Sequence, residues 1–331
     1  MKVFLTRENQ KLIDNVVFID GFSSSGKALI APIFGFLERG EQWQVDYFFE
    51  KLAVLSHLDK ISKKNIKTVL EAKVDELIYN LFIGRNINSR KTDLSSPFFN
   101  GLGKKYLKRI KLKEKGPAMK RILQAKPILP IMVHYIYGCT DIFLKSLQGK
   151  LGLYVIMLRD PFHLINVWHK DKWVKKRGRS NREFHLCIKV KNKIIPWYAK
   201  EYSKDYIKAN NLEKAILTVY HLYKRVFSMY KRSGSNEKKK ILLVFFDEFI
   251  KYPDLYINKI CKRLKTKRIK NFQKIIKKRL SLPRIHNDPI TSIEIFKKKY
   301  SKKISKHYLD MLFELNDNYI DFYKEKKLSK S

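Results

Sequence analysis

Val16-Val17-Phe18-Ile19-Asp20-Gly21-Phe22-Ser23-Ser24-Ser25-Gly26-Lys27-Ala28 is the stretch that decides the architecture. Residues 16–20 form a short, continuous apolar run closing on Gly21. A run without polar alternation reads as a strand buried on both faces, the habit of parallel sheets. Residues 21–27 are a small-residue loop, and 28–37 then read as a helix that tolerates Pro32 near its start. Strand, Gly/Ser loop and helix therefore follow one another within the first forty residues.

Working outward, further short apolar runs occur at 128–137 (interrupted by Pro130), 153–158 and 241–246. Helical spacing of apolar residues marks 45–52, 74–83, 162–168, 212–230 and 254–264. Residues 233–236 read as a turn, and 170–193 as a basic, irregular loop or lid. Short strands alternating with helices predict a three-layer α/β, P-loop-like fold, a central parallel sheet flanked by helices. We read 1–331 as one domain, with 41–125 a largely helical insertion and 290–331 a charged helical tail. In such folds ligands sit at the carboxyl ends of the strands.

Composition narrows the function. Among the 331 residues hydrophobic side chains make up 44%, enough for a core and too many for a disordered chain. Three scattered cysteines, Cys139, Cys187 and Cys261, form no CxxC pair, so a reducing compartment without structural zinc is expected. Residues 1–15 include Glu8 and Asp14 and lack an apolar signal-peptide core, and no run of residues is long enough to span a bilayer. The expected location is cytoplasmic. Lys and Arg outnumber Asp and Glu by 71 to 31, a formal charge of +40. Such a surface attracts nucleotides, acidic glycans or anionic lipid, and peripheral membrane contact fits it. Lys in excess of Arg, with frequent Ile and Asn, is also what AT-rich coding produces.

Residues 21–28 fit GxxxxGK and fail the final Ser/Thr, which is Ala28. Glycines let successive N–H groups converge on a phosphate, and the following helix adds its positive end. Gly21, Ser23, Ser24, Ser25, Gly26, Lys27 and Ala28 are the candidate binding residues. The plain alternative is a tight strand-to-helix turn of small residues. Without the hydroxyl that holds Mg²⁺ in nucleoside triphosphatases, metal-dependent phosphoryl transfer loses a ligand.

A second candidate follows the strand at 153–158. Arg159 emerges at its carboxyl end before Asp160-Pro161, where a guanidinium suits a phosphate. The alternative is a structural cap with Asp160. His134, at the end of the preceding apolar run, is a candidate general base, although a lone histidine is more often structural. Trp43, Phe48 and Trp168 are stacking candidates, though ordinary core packing is the favoured account of all three.

Together these segments resemble the sulfotransferases that use 3′-phosphoadenosine 5′-phosphosulfate (PAPS). Ser24-Ser25-Gly26-Lys27-Ala28 stands where that family has a Lys/Arg-Ser-Gly-Thr-Thr phosphosulfate loop. Leu158-Arg159-Asp160-Pro161 matches its 3′-phosphate motif, and His134 stands where many members carry a catalytic histidine. Residues 244–253 resemble a late family segment, so the likeness runs from about 16 to 265. The chain departs from the pattern at Ser24 and at Lys27-Ala28. It departs again at Val167, beside Asn166, where the family has a serine eight residues after the arginine.

The resemblance implies sulfuryl transfer from PAPS to a hydroxyl or amine, with no metal. Lys27 and the loop would stabilise the developing charge, His134 would act as base, and Arg159, Asn166 and Val167 would lie along the 3′-phosphate grip. An anionic or carbohydrate acceptor, such as a glycan or lipid-linked sugar, would suit the basic segment 170–182. Two other readings stay open: a P-loop kinase, and a non-catalytic protein binding polyanions or nucleic acid. Against the last, the basic residues are spread along the chain and form no nucleic-acid module, so no specific nucleic-acid partner is expected.

Overall fold

The computed structural model describes residues 4–7, 11–112, 117–176, 184–284 and 293–328. Glu8 and 177–183 of the basic segment lie outside them, as do 113–116, 285–292 and 329–331.

Among the described residues five parallel strands make one sheet: β1 (Asn15–Gly21), β2 (Gln44–Val45), β3 (Ile128–Met132), β4 (Leu151–Leu158) and, after the hairpin below, β7 (Ile241–Phe245). Their order is β2-β3-β1-β4-β7. The antiparallel pair β5 (Cys187–Val190) and β6 (Lys193–Pro196) forms a separate hairpin.

Alternate residues of each central strand enter opposite cores. Val16 and Phe18 join one cluster with Leu129, Ile131, Tyr154 and Ile156. Val17 and Ile19 join the other with Ile128, Leu153, Val155 and Val244. On the first face pack helices Tyr47–His57, Lys63–Phe82 and Asn211–Arg232. On the second lie Lys27–Gly35, Pro253–Leu264 and Phe272–Leu280. Three layers with a sheet in the middle result, the expected α/β architecture.

Pro130 sits inside β3 without breaking it. It shares parity with Ile128, whose N–H turns away from β1 to Arg39 O at 2.9 Å. The donor that proline lacks therefore falls on the side of β2, which begins only opposite Ile131, and costs the β1 ladder nothing.

Several boundaries differ from the sequence reading. The first helix stops at Gly35 instead of residue 37. The turn at 233–236 runs straight into a short helix, Ser235–Lys240, whose first-turn Glu237 accepts from Gly234 N–H at 3.0 Å. Segment 170–193 contains helix Trp173–Lys176 and half of the hairpin. Segment 41–125 carries helices and also the edge strand β2. The C-terminal helices Ile293–Tyr300 and Lys306–Leu328 are packed: Phe296, Leu312, Leu315 and Phe322 belong to the first core.

The chain leaves β1 toward β2 and leaves β4 toward β7, so the crevice at their carboxyl ends is the switch point of the sheet. The loop after β1 and Arg159 after β4 meet there.

Candidate active site

Asp20, at the end of β1, anchors the site from below. Its carboxylate accepts from Gly21 N–H (2.7 Å), Tyr137 N–H (2.7 Å) and Tyr154 OH (2.9 Å). Burial pushes its pKa up, against these hydrogen bonds and the nearby Lys27 ammonium. The strand end and the segment after His134 are thus tied to one carboxylate.

The loop that follows is shaped by glycine. Gly26 has φ +97°, and a Cβ there would meet the Phe246 ring at 2.3 Å. Ser24 also takes a left-handed φ of 68°. Helix Lys27–Gly35 begins without a capping side chain at Gly26 and without an acidic residue in its first turn. A helix start presents N–H groups lacking intrahelical partners and a partial positive charge. The Ser25 hydroxyl is buried and has no hydrogen-bond partner among the described residues. These features fit an anionic group.

Lys27 is placed differently from its expected role. Its Nζ is buried and donates to Gly21 O (2.8 Å) and Phe22 O (2.6 Å). The ammonium braces the curl of the loop from within, because the long side chain folds back from the helix start onto the loop carbonyls. Ser23 is likewise committed inward. Its N–H donates to the Tyr135 hydroxyl (3.2 Å), its own hydroxyl contacts the same oxygen, and its carbonyl accepts from Trp168 Nε1–H (3.0 Å). Ala28 is exposed on the first turn.

Arg159 joins the loop from the β4 side. Its guanidinium lies 4.0 Å from the centroid of Phe246 and donates to Ser24 O at 2.9 Å. Tyr223 holds its backbone through both N–H and carbonyl. Asp160 caps helix Pro161–Lys170 by accepting from His163 N–H at 2.7 Å. The arginine and the phosphate loop, separated by more than a hundred residues, are one hydrogen-bonded unit. Further along that helix, Asn166 Oδ1 accepts from Tyr300 OH (2.7 Å) and Lys299 Nζ (3.2 Å), while Val167 offers no polar group.

On the other side stands His134. Its Nδ1 is 2.7 Å from Glu50 Oε1, on helix Tyr47–His57. Glu50 Oε2 is 3.2 Å from Nε2 of His185. All three side chains are largely buried: 8% exposed for Glu50, 15% for His134 and 9% for His185. Beside an ionised carboxylate, which only accepts, a neutral imidazole at His134 carries its proton on Nδ1 and keeps its lone pair on Nε2. The next residue, Tyr135, takes a left-handed φ of 62° and reaches Ser23. Its ring is fixed between Trp168 (5.9 Å) and Tyr198 (5.6 Å). This strained, well-held tyrosine couples the histidine to the loop.

The sequence reading therefore placed His134, the loop and Arg159 at one edge, and the structure brings them together. It missed Glu50, Tyr135 and His185. The signal for Glu50 was a single carboxylate beside Phe49 and Leu52 on the buried face of an apolar-spaced helix. His185 belongs to the described end of the basic segment, where Phe184 and His185 pack on Tyr47 at 5.4 and 5.8 Å. Trp43 and Trp168 are core residues, 3% and 1% exposed, as the packing alternative held.

No family model matches the chain, and no curated protein matches it. Among solved structures it is similar to a sulfotransferase domain of the Synechococcus PCC 7002 olefin synthase, at 11% identity and TM-score 0.38, covering 96% of this chain and 98% of that one. It is similar to a sulfotransferase domain from the curacin biosynthetic pathway at 9% identity and TM-score 0.42, covering 93% and 98%. The sulfotransferase STF9 of Mycobacterium avium gives 10% identity and TM-score 0.37, covering 88% of this chain and 76% of that one. Likeness at this level decides nothing about donor or acceptor. Among the described residues no helix is long and apolar enough to cross a membrane.

Proposed function

We propose that this chain is a sulfotransferase-like enzyme that moves a sulfuryl group from PAPS to a hydroxyl or amine. One observation carries the reading. At the switch point of a parallel sheet an anion-fitting loop is bonded to an arginine and to Tyr135, the neighbour of a carboxylate-held histidine. In that reading His134 Nε2 takes the acceptor's proton as the acceptor oxygen or nitrogen bonds to sulfur. The bond from sulfur to the phosphate oxygen breaks, and 3′-phosphoadenosine 5′-phosphate departs. The helix start at Lys27 stabilises the charge gathering on that oxygen. Arg159 holds a phosphate, and Lys27 keeps the loop in shape. The +40 charge favours an acidic glycan or lipid-linked sugar as acceptor, with access to it from an anionic membrane surface.

The test is calorimetric titration with 3′-phosphoadenosine 5′-phosphate in EDTA, with AMP and ATP as controls. Micromolar binding that needs the 3′-phosphate is expected. Arg159→Ala should weaken it by about tenfold or more, since a hydrogen bond to a charged group is worth about 1.5–3 kcal/mol. Binding of ATP alone, and only with magnesium, overturns the proposal in favour of a kinase.

A further inference from the structure

The same corner of the sheet holds a second chemical possibility, independent of sulfuryl transfer. Glu50, His134 and His185 come from three distant segments, yet one donor atom of each lies within 4.8 Å of the others. The atoms are a carboxylate oxygen and two imidazole nitrogens, all on largely buried side chains. The two rings stand nearly perpendicular, 77° apart with centroids at 5.7 Å, so their nitrogens converge on the carboxylate from different directions.

We propose that Glu50, His134 Nδ1 and His185 Nε2 form a binding site for a borderline divalent cation, zinc above all. Two histidines and one glutamate are a donor set zinc accepts, with bonds of about 2.0–2.2 Å. Tetrahedral bonds of that length place ligand atoms roughly 3.3 Å apart. His134 Nδ1 lies 2.7 Å from Oε1 of the carboxylate and His185 Nε2 lies 3.2 Å from Oε2, separations close to that value. Metal entry therefore needs displacement of protons and adjustment of side chains whose donor atoms already lie within 4.8 Å of one another. Magnesium and calcium, which prefer shells of oxygen, are poor matches for two imidazoles.

A consequence follows for His134, and it rests on the function proposed above. A neutral imidazole has one acceptor nitrogen. If Nδ1 binds the metal, the proton must reside on Nε2, and the base is lost. Zinc would then inhibit sulfuryl transfer and a chelator would restore it.

Metal binding itself is tested without any activity. The full chain, freed of metal by chelator, is titrated with zinc against a chromophoric chelator. One zinc per chain at micromolar affinity or tighter is expected. His185→Ala and Glu50→Gln should each weaken it by at least about tenfold. X-ray absorption on the zinc-loaded wild-type chain needs no variant and should show two imidazoles and a carboxylate. No zinc bound at about 100 µM, unchanged affinity in both folded variants, or a shell containing cysteine sulfur or oxygen alone, each overturns the site. Zinc binding with the expected shell but no 3′-phosphoadenosine 5′-phosphate binding would sink the enzymatic proposal and leave the metal site standing.

Discussion

At the scale of single residues, the chemistry turns on two carboxylates in opposite situations. Glu50 is paired with imidazole nitrogens and fixes which nitrogen of His134 keeps its lone pair. Glu50→Gln preserves the shape and can still hydrogen-bond, but it no longer demands the proton on Nδ1. Turnover should fall, by less than the about 10²- to 10⁴-fold expected for loss of the base in His134→Ala. Calorimetric affinity for 3′-phosphoadenosine 5′-phosphate should not change, because neither side chain belongs to the loop. A matching loss of affinity would mean that Glu50 only supports the fold. Asp160 is the contrasting case. Burial pushes its pKa up to about 6, with Asp247 adding repulsion against the hydrogen bonds from the helix start. The folded value lies above the ordinary 3.8, so folding favours the neutral acid. That stabilisation is complete below about pH 4 and is lost as pH rises through about 6. Asp160→Asn keeps a capping oxygen for His163 N–H and removes the buried charge. Chemical denaturation should find the variant more stable at pH 8, by on the order of 2–3 kcal/mol, with the gain vanishing toward pH 4. A gain equal at both pH values would show that the carboxylate's charge is not what burial penalises.

At the scale of elements, the phosphate loop is a shape held by neighbours. Gly26 combines a left-handed φ with a ring where a Cβ would stand. Gly26→Ala should therefore destabilise the chain by about 1–3 kcal/mol, from crowding and backbone strain together. Adding Phe246→Leu should recover only the crowding part, and thermal unfolding of the two variants separates the contributions. Equal stability of Gly26→Ala and wild type would refute the account of the loop. The loop, β1, β4 and β7 were legible in the sequence because a strand buried on both faces must be continuously apolar, and a phosphate loop must be small-residued. β3 was legible despite Pro130, since its ladder with β1 does not use that nitrogen. β2 was not, being two residues, Gln44–Val45, one of them exposed. The β5–β6 hairpin hid in a stretch read as a basic loop, because Lys189, Lys191 and Lys193 break its apolar residues into two strands of only four residues each. Glu50 and His185 were illegible as a pair with His134, because only the three-layer packing brings the helix after β2 over the end of β3. Spacing along the chain carries no trace of that convergence. Lys27 was legible as a charge but not as a brace, since a sequence does not say where a long side chain folds.

At the scale of the whole molecule, the question is whether the charged C-terminal segment is an appendage or part of the core. Its charge suggests a solvated tail, yet its apolar side chains say otherwise. Phe322 is 3% exposed and its ring lies 4.5 Å from Phe227 on the long helix Asn211–Arg232. Tyr323 meets Phe245 at the end of β7, and Tyr300 reaches Asn166 behind Arg159. The segment thus covers one face of the sheet and touches the helix that carries the Arg-Asp-Pro motif. A chain with a formal charge of +40 repels itself, so it depends on such apolar contacts more than a neutral chain would. Phe322→Ala removes a buried ring and should cost about 3–5 kcal/mol, read as a lowered urea midpoint with the slope unchanged. Affinity for 3′-phosphoadenosine 5′-phosphate should fall in parallel only near the unfolding transition, because the ring packs on Phe227 and Tyr230 of the long helix. A cost below about 1 kcal/mol, the range of surface substitutions, would instead mean that the helix detaches freely. That face of the sheet would then be covered by helices Tyr47–His57, Lys63–Phe82 and Asn211–Arg232 without it, and the hold of Tyr300 on Asn166 would not be needed to keep Arg159 in place.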